Sequence, residues 1–385
     1  MNRRCFILGM TALAGCSRVS RPRLNVYNWS AYVAPDTISN FEAEFGVKVR
    51  YATYESNEEM LAKVVTGNSG WDIVFPTYTR IKPMQDYGLL QPLHREWLPG
   101  LSNLDPRFRA PTWDRDLRWS VPWMWFATGI VYNRDVRPAP TRWADLWDAR
   151  LKGRLTMLDD PEDMLGACLK KIGLSFSSTD PAELQRAKQE AIAQKPLVRA
   201  YLNAEVRDQL VSGDVLAAQL WATTAQQAID AGPNLAFAYP EEGFPLYCDC
   251  AVILRESQRS RLAHQFLDYL LRPKVAAAAA DYSRVATANG AAKEFLPEAT
   301  RNSPTLYPPP SILERGEWPQ TLPPDAQRLR DRIWSEIIAY LSLWTERPGA
   351  ALQALPDEDE IRGIPQSCGN SPARARCDND VVLVR

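Results

Sequence analysis

Acidic side chains stand at two places in this 385-residue chain where regular structure should begin. The run Asp159-Asp160-Pro161-Glu162-Asp163 follows an apolar segment and precedes a helical pattern, which places it at a strand-to-helix turn. Asp249 lies at the start of a predicted strand, Tyr247 to Leu254, where a lone buried carboxylate is costly unless it is paired. Carboxylates in such positions suit the binding of a cation or acid–base chemistry.

Aromatic side chains accompany these acids. The two-residue period of a strand places Tyr247 and Asp249 on one face, and Cys248 and Cys250 on the other, where small buried thiols are expected. Three more rings end or follow other predicted strands: Trp29, Tyr32 and Trp221. A pocket lined in this way suits an organic polycation, because carboxylates pair with ammonium groups and ring faces attract the cation.

The same residues also fit two other interpretations. Asp160 is a good helix N-cap before Pro161, Glu162 and Asp163 complement the helix dipole, and aromatic residues at strand ends often belong to the core. Paired carboxylates beside tryptophans also describe glycoside hydrolases, in which one acid donates a proton and the other attacks or activates water. Capping, polycation binding and hydrolysis therefore remain open on local evidence.

Composition excludes several other classes of protein. The 45 Lys and Arg residues against 46 Asp and Glu residues give a net charge of −1, so no global field attracts nucleic acid. The two histidines, His94 and His264, are isolated from other ligand types, and no Ser-His-Asp or Cys-His arrangement is apparent. We expect neither a metal nor a cofactor.

The elements that must position the acids follow from the sequence pattern. Strands are predicted near the N-terminus at Leu24 to Trp29, Val47 to Tyr51 and Trp71 to Phe75. The helices between them end at Gly46 and at Gly67, which gives a βαβαβ unit with a largely parallel sheet. Ligands of such sheets lie at the carboxyl ends of the strands, here Trp29 to Tyr32 and Pro76 to Thr79.

A second α/β unit follows, and the chain length allows two domains. Its predicted strands are Leu155 to Leu158, Val215 to Trp221 and Tyr247 to Leu254, and its predicted helices begin at Pro161, Ala182 and Thr224. The composition changes after Trp344, where an acidic run precedes Gly, Pro and Arg residues, so we expect residues 346–385 to form a disordered tail.

The N-terminal sequence has the pattern of an export signal with a lipid attachment site. Arg3 and Arg4 precede a short apolar segment that ends in Leu13-Ala14-Gly15-Cys16, which predicts a signal peptide over residues 1–15 and a lipidated Cys16. The segment Asn2 to Ile7 also resembles the twin-arginine export signal. We expect a periplasmic protein that is anchored to a membrane through lipid but folded in water.

Several motifs resemble those of the spermidine/putrescine-binding proteins of bacterial polyamine ABC transporters. They run colinearly from about residue 24 to 340 and include Tyr27-Asn28-Trp29-Ser30-Ala31-Tyr32-Val33, Asp72-Ile73-Val74-Phe75-Pro76, Trp143-Ala144-Asp145-Leu146-Trp147, Leu271-Arg272-Pro273 and Gly316-Glu317-Trp318. The resemblance implies an α/β, two-lobed periplasmic binding protein fold of type II character, with the ligand in the interdomain cleft. It places lobe 1 at residues 24–127 plus 248–293 and lobe 2 at residues 128–247 plus 294–345.

The resemblance also implies a ligand set. An aromatic wall, two hydroxyl contacts and three anionic partners would come from Trp29, Tyr32, Trp221, Tyr247, Ser30, Thr77, Asp160, Asp163 and Asp249. Thr79 and Val285 fall where tyrosines are common in the family, so the aromatic cage is thinner and does not choose between spermidine and putrescine.

The implied function is the capture of a polyamine and its delivery to the permease of an ABC transporter by a monomeric, non-enzymatic protein. The competing interpretations are an exported glycoside hydrolase and a ligand sensor or scaffold that shares the fold.

Overall fold

The computed structural model describes residues 21–345, and the predicted signal peptide, Cys16 and the 346–385 tail lie outside these residues. The described strands are β1 Arg23–Trp29, β2 Lys48–Tyr54, β3 Ile73–Val74, β4 Val121–Asn133, β5 Leu155–Met157, β6 Val198–Tyr201, β7 Ala217–Trp221, β8 Leu235–Ala238, β9 Phe244–Ile253, β10 Ala286–Thr287 and β11 Gly316–Glu317. The described α-helices are α1 Thr37–Phe45, α2 Asn57–Val64, α3 Ile81–Asp86, α4 Pro161–Lys171, α5 Pro181–Gln194, α6 Arg207–Ser212, α7 Ala222–Ala231, α8 Ser260–Leu270, α9 Pro273–Ser283, α10 Glu298–Arg301, α11 Pro310–Leu313 and α12 Pro324–Thr345.

The strands join in the order β2-β1-β3-β9-β4-β7-β5-β6, with β8 and β10 added to β4 and β11 added to β9. As predicted, β1 is parallel to both β2 and β3. In the second unit β5 is parallel to β6 and to β7. The expectation of a largely parallel sheet in the first βαβαβ unit is therefore met, whereas β9, which was not part of that expectation, runs antiparallel to β3 and to β4.

The two long strands β4 and β9 connect the α/β units. The first part of β4 pairs with β9, and the rest pairs with β7 and β8. The strand β4 was not predicted from the sequence, because this 13-residue strand is buried on both faces and contains Pro122 and Gly129, which argue against a strand. Most of β9 was predicted from the sequence. The observed strand begins three residues earlier than expected.

Helices begin and end at residues whose types favour helix caps. Gly46 ends α1 in the left-handed conformation, with φ of 64°, which glycine adopts without strain. At the start of α2, the Ser56 side chain accepts a 3.1 Å hydrogen bond from the Glu59 backbone N–H. Asp160 does the same for α4, and the first helical residue there is Pro161. The helix end predicted at Gly46 and the cap predicted at Asp160 therefore form.

The hydrophobic core is rich in tryptophan. Trp123, Trp125 and Trp143 are almost completely buried, and the Trp143 indole N–H donates to the Gly243 carbonyl at 2.8 Å. None of the helices within residues 21–345 is both long and apolar enough to cross a bilayer.

Candidate ligand-binding site

The turn after β1 directs an aromatic pair toward β9. Half-buried Trp29 ends the strand, and its ring centroid lies 4.7 Å from that of Tyr54 and 6.4 Å from that of Tyr32. Ala31 has a left-handed backbone with φ of 55°, an uncommon conformation for a residue with a Cβ. Its carbonyl accepts a 2.6 Å bond from the Ser283 hydroxyl, which holds the turn in place. The reversed chain brings Tyr32 into the interior.

Asp249 on β9 is held by two hydroxyl groups. The Tyr32 hydroxyl donates to Asp249 Oδ2 at 2.6 Å, and the Thr77 hydroxyl donates to Oδ1 at 2.8 Å. Thr77 is itself positioned by Asn57, whose amide group donates to the Thr77 hydroxyl at 3.0 Å and accepts from the Thr77 backbone N–H at 3.1 Å. The carboxylate is only 2% exposed. Residues from three separate chain segments therefore fix one buried acid.

Asp163 in the first turn of α4 is held in the same manner from the other side. The Trp221 indole N–H donates to Asp163 Oδ2 at 2.8 Å, and the Tyr247 hydroxyl lies 3.3 Å from Oδ1 as a donor. The Gln219 side chain donates to the Asp163 backbone carbonyl at 2.7 Å, which ties the helix start to β7. Asp163 is also 2% exposed.

The strand β9 links the two acids. Tyr247, which contacts Asp163, and Asp249 are two residues apart on one face of the strand, as the alternation predicted. Cys248 and Cys250 are buried free thiols whose sulfur atoms lie 3.8 Å apart. The aromatic and acidic residues thus form one continuous group, and the thiols form another.

The remaining predicted site residues occupy the rim of this group. Asp160 is half-buried, and its Oδ1 accepts from the backbone N–H groups of Glu162 at 2.8 Å and Asp163 at 3.0 Å, which is the capping role. Ser30 is exposed and its hydroxyl donates to Glu55, so the structure does not bring it to either buried acid. Its role as a ligand contact stays a prediction.

Burial dominates the electrostatics of the acids. It raises the pKa of Asp249 to about 7, although the bonds from Tyr32 and Thr77 oppose the shift. Burial and the neighbouring Asp160 carboxylate raise the pKa of Asp163 well above its ordinary value, and burial raises the pKa of Asp160 too. At Asp163 and Asp249 only hydrogen bonds from uncharged groups oppose the shift in pKa, so the ionised forms of these two acids lack a compensating positive charge.

The partners of the two buried acids are all uncharged. In the described part of the chain, the side chains that hydrogen-bond the carboxylates of Asp163 and Asp249 are hydroxyl and indole groups. Among residues 21–345 no group of three or more His, Cys, Asp or Glu side chains is arranged to hold a metal ion. An ammonium group that donates several hydrogen bonds would supply the missing charge.

Arg80, which was not predicted as a site residue, forms an ion pair with the acid that precedes Asp163. Its Nη2 atom lies 3.3 Å from Glu58 Oε1 and 3.9 Å from Glu162 Oε2. A signal was available, because Arg80 directly follows the Pro76 to Thr79 segment at the carboxyl end of β3, where ligands of such sheets lie. Its two partners were not predictable, since they come from α2 and α4.

The fold and the paired acids define a solute-binding protein. The sequence pattern of the family described as bacterial extracellular solute-binding protein matches residues 36–306, and the chain belongs to this family. It is 35% identical over 298 residues to a spermidine/putrescine-binding periplasmic protein of Escherichia coli K12, covering 77% of this chain and 86% of that one. It is 31% identical over 349 residues to the putrescine-binding periplasmic protein PotF of the same organism, covering 85% and 94%.

A solved structure agrees with these sequence relatives. The spermidine/putrescine ABC transporter substrate-binding protein PotD from Streptococcus pneumoniae superposes with a TM-score of 0.75 at 29% identity, covering 83% of this chain and 99% of that one. The predicted resemblance and the two-lobed α/β fold are thereby confirmed, and the protein is a solute-binding protein rather than an enzyme. The lobe boundaries and the ligand roles of individual residues stay predictions.

Proposed function

We propose that this protein captures a polyamine of the spermidine or putrescine type between its two lobes and delivers it to the permease of an ABC transporter. The observation that carries the proposal is the pair Asp163 and Asp249, which are both 2% exposed and bonded to uncharged donors. Two acids buried in this way are unfavourable by themselves, because a buried charge needs a counter-charge. A polyamine brings ammonium groups joined by methylene links that fit between aromatic rings.

The predicted lobes divide the contacts between them. Tyr32 and Thr77 lie in the range assigned to lobe 1, whereas Asp163 and Trp221 lie in the range assigned to lobe 2. A ligand that contacts both groups binds a closed arrangement more tightly than an open one and therefore shifts the population toward closure. Recognition by a permease requires such a difference between the free and loaded states.

The N-terminal sequence supports the location. The relatives from Escherichia coli are periplasmic proteins by description, and Leu13-Ala14-Gly15-Cys16 supports export followed by lipid attachment at Cys16. The paired residues Arg3 and Arg4 support the twin-arginine route. We infer a lipid-anchored monomer in the periplasm.

A ligand screen tests the proposal against its alternatives. Calorimetric titration of the purified protein with a diamine, a triamine, a monoamine of equal length and a set of oligosaccharides should give saturable 1:1 binding for a polyamine alone. Saturable binding of an oligosaccharide, or of the monoamine as tightly as the diamine, would overturn polyamine capture as the function. A polyamine response without uptake in cells that carry the partner permease would favour a sensor or scaffold.

A further inference from the structure

Thr77 and Asp249 face each other across a single antiparallel backbone bridge. Beside them the Cys250 N–H donates to the Pro76 carbonyl at 2.9 Å, and Thr77 is only 7% exposed. The backbone therefore holds the two side chains close together. What remains variable is the direction in which the Thr77 hydroxyl places its one proton.

The amide of Asn57 determines that direction. A backbone N–H can only donate, so the atom that lies 3.1 Å from the Thr77 nitrogen must be the Asn57 side-chain oxygen. The Asn57 NH₂ group then lies 3.0 Å from the Thr77 hydroxyl oxygen, and because an amide NH₂ group only donates, the hydroxyl oxygen accepts. The hydroxyl proton is thus left for Asp249 Oδ1 at 2.8 Å.

Asn57 is not needed as a helix cap. It is the first residue of α2, and the cap is supplied by Ser56, whose side chain accepts from the Glu59 N–H at 3.1 Å. Asparagine is a poorer helix former than alanine, so local helix stability does not explain its presence. Both polar ends of its side chain are directed at Thr77 instead.

We infer that Asn57 is a positioning residue of the ligand site, which directs the Thr77 proton toward Asp249 and thereby favours the ionised carboxylate that an ammonium group needs. This inference rests on the proposed polyamine function. An acceptor in place of the Asn57 NH₂ group would reverse the chain of bonds. Thr77 would then donate to residue 57 and present a lone pair to Asp249, which favours the protonated carboxyl group.

The other ionisable groups around Asp249 do not determine this direction. Burial and the charge of Asp249 raise the pKa values of Tyr32 and Tyr54, and burial and the Cys248 thiol raise that of Cys250, so all of these groups are neutral at about pH 7. The acids of α4 lie on predicted lobe 2 and reach β9 through Tyr247.

The charged side chains of α2 and of the segment after β3 are bonded elsewhere. Glu58 pairs with Arg80 at 3.3 Å, and Glu59 accepts from the Tyr27 hydroxyl at 3.1 Å. A change at residue 57 leaves all of these groups in place, so its effect on Asp249 reports the bonds through Thr77.

The test measures the pKa of Asp249 in the ligand-free protein by NMR titration of isotope-labelled aspartate side chains, with Asp249→Asn for assignment. In Asn57→Asp the new carboxylate can only accept, so the pKa of Asp249 should rise by about one pH unit above its wild-type value of about 7. Asn57→Ala lets the hydroxyl rotate freely and should raise it less.

Ser56→Asp is the matched control. It adds the same charge one residue earlier and keeps a good N-cap, but Ser56 is bonded to Glu59 rather than to Thr77, so the pKa of Asp249 should stay close to the wild-type value. Alanine removes more of the side chain than aspartate does, so a role in packing alone would give the larger effect in Asn57→Ala. That order, or equal effects in Asn57→Asp and Ser56→Asp, overturns the inference.

Calorimetry with 1,4-diaminobutane extends the test to the ligand. At about pH 6 the affinity of Asn57→Asp should be about tenfold below that of the wild type, and the difference should narrow at about pH 9, where Asp249 is ionised in both proteins. An equal difference at both pH values contradicts the inference. A wild type that binds no diamine refutes the proposed function, whereas the NMR titration tests Asn57 without any ligand.

Discussion

The Tyr32 hydroxyl donates a 2.6 Å hydrogen bond to Asp249 across 217 residues of sequence. This bond joins the turn that follows the first strand to the centre of β9. The same carboxylate accepts from Thr77, so its orientation is set before any ligand arrives. A preorganised anion loses little entropy when it binds an ammonium group, which favours affinity.

Asp249→Asn tests the carboxylate directly. The change removes a charge-assisted bond and places an NH₂ group beside the ligand ammonium, so polyamine affinity should fall about ten- to a hundredfold. Thermal stability of the ligand-free protein at about pH 8 should not fall, because a buried charge with a raised pKa is removed. Calorimetry and melting curves measure the two effects.

Asp114→Asn is the control for Asp249→Asn. Asp114 is also buried, but its carboxylate accepts from the backbone N–H groups of Arg118, Trp119 and Ser120. Its replacement should cost roughly 1–3 kcal/mol of stability and leave polyamine affinity unchanged. Equal affinity losses in both variants would reduce the role of Asp249 to a structural one.

Asp160→Asn separates ligand binding from capping. Asparagine caps a helix about as well as aspartate, so stability should fall by only about 0.3–1 kcal/mol through the weaker dipole interaction. Polyamine affinity should fall by about tenfold, since a charged partner is lost. Asp180→Asn is a matched control, because Asp180 caps α5 before Pro181 through the same two types of bond. If both variants lose stability and neither loses affinity, Asp160 is a cap alone.

The dependence on pH follows from Asp249. Burial places its folded pKa at about 7 against an ordinary 3.8. Between these values the folded protein holds a proton that the unfolded chain has released, so the stability of the ligand-free protein should fall as pH rises toward 7. Polyamine needs the ionised carboxylate, so affinity should weaken below about pH 7 and binding there should release protons.

Melting curves between about pH 5 and about pH 8, with calorimetry in buffers of different ionisation enthalpy, check both effects. Asp160, Glu162 and Asp163 also have raised pKa values and act in the same direction. Affinity that is flat across this range, with no proton release, contradicts the assignment of Asp160, Asp163 and Asp249 as ammonium partners.

Membrane attachment is tested at Cys16. The full-length protein expressed in a cell with a lipoprotein pathway should sediment with membranes, and Cys16→Ser should appear in the soluble periplasmic fraction. Cys5→Ser is the control, since Cys5 lies in the predicted signal peptide and its loss should change nothing. If the Cys16→Ser protein still sediments with membranes after a high-salt wash, the prediction of lipid attachment at Cys16 is wrong.

Local sequence signals predicted much of the fold because they act over short distances. Asp160 before Pro161 marks the start of α4, and the alternation of Tyr247 and Asp249 fixes their common face. The strand β4 was missed because it is buried on both faces, so it lacks the two-residue period that identifies a strand with one wet face. Burial of that kind depends on neighbours that the local pattern does not contain.

Contacts within the site were less predictable than its residues. The resemblance identified Asp163 and Trp221, but their hydrogen bond joins residues 58 positions apart and only the fold reveals it. Arg80 was missed for the same reason, because its ion-pair partner Glu162 lies on α4, which is distant in sequence. The ligand contact that the resemblance implies for Ser30 stays a prediction, and the Ser30 hydroxyl donates to Glu55 in the structure.

A crystal structure of the protein with a polyamine supplied at a concentration near that of the protein tests the central claim most directly. We predict a polyamine between the lobes with one ammonium nitrogen about 2.7–2.9 Å from an Asp249 oxygen and another at the same distance from Asp163 or Asp160. Its methylene links should lie against Trp29 and Tyr247. A polyamine bound elsewhere, with Asp249 still contacted only by Tyr32 and Thr77, would contradict the account.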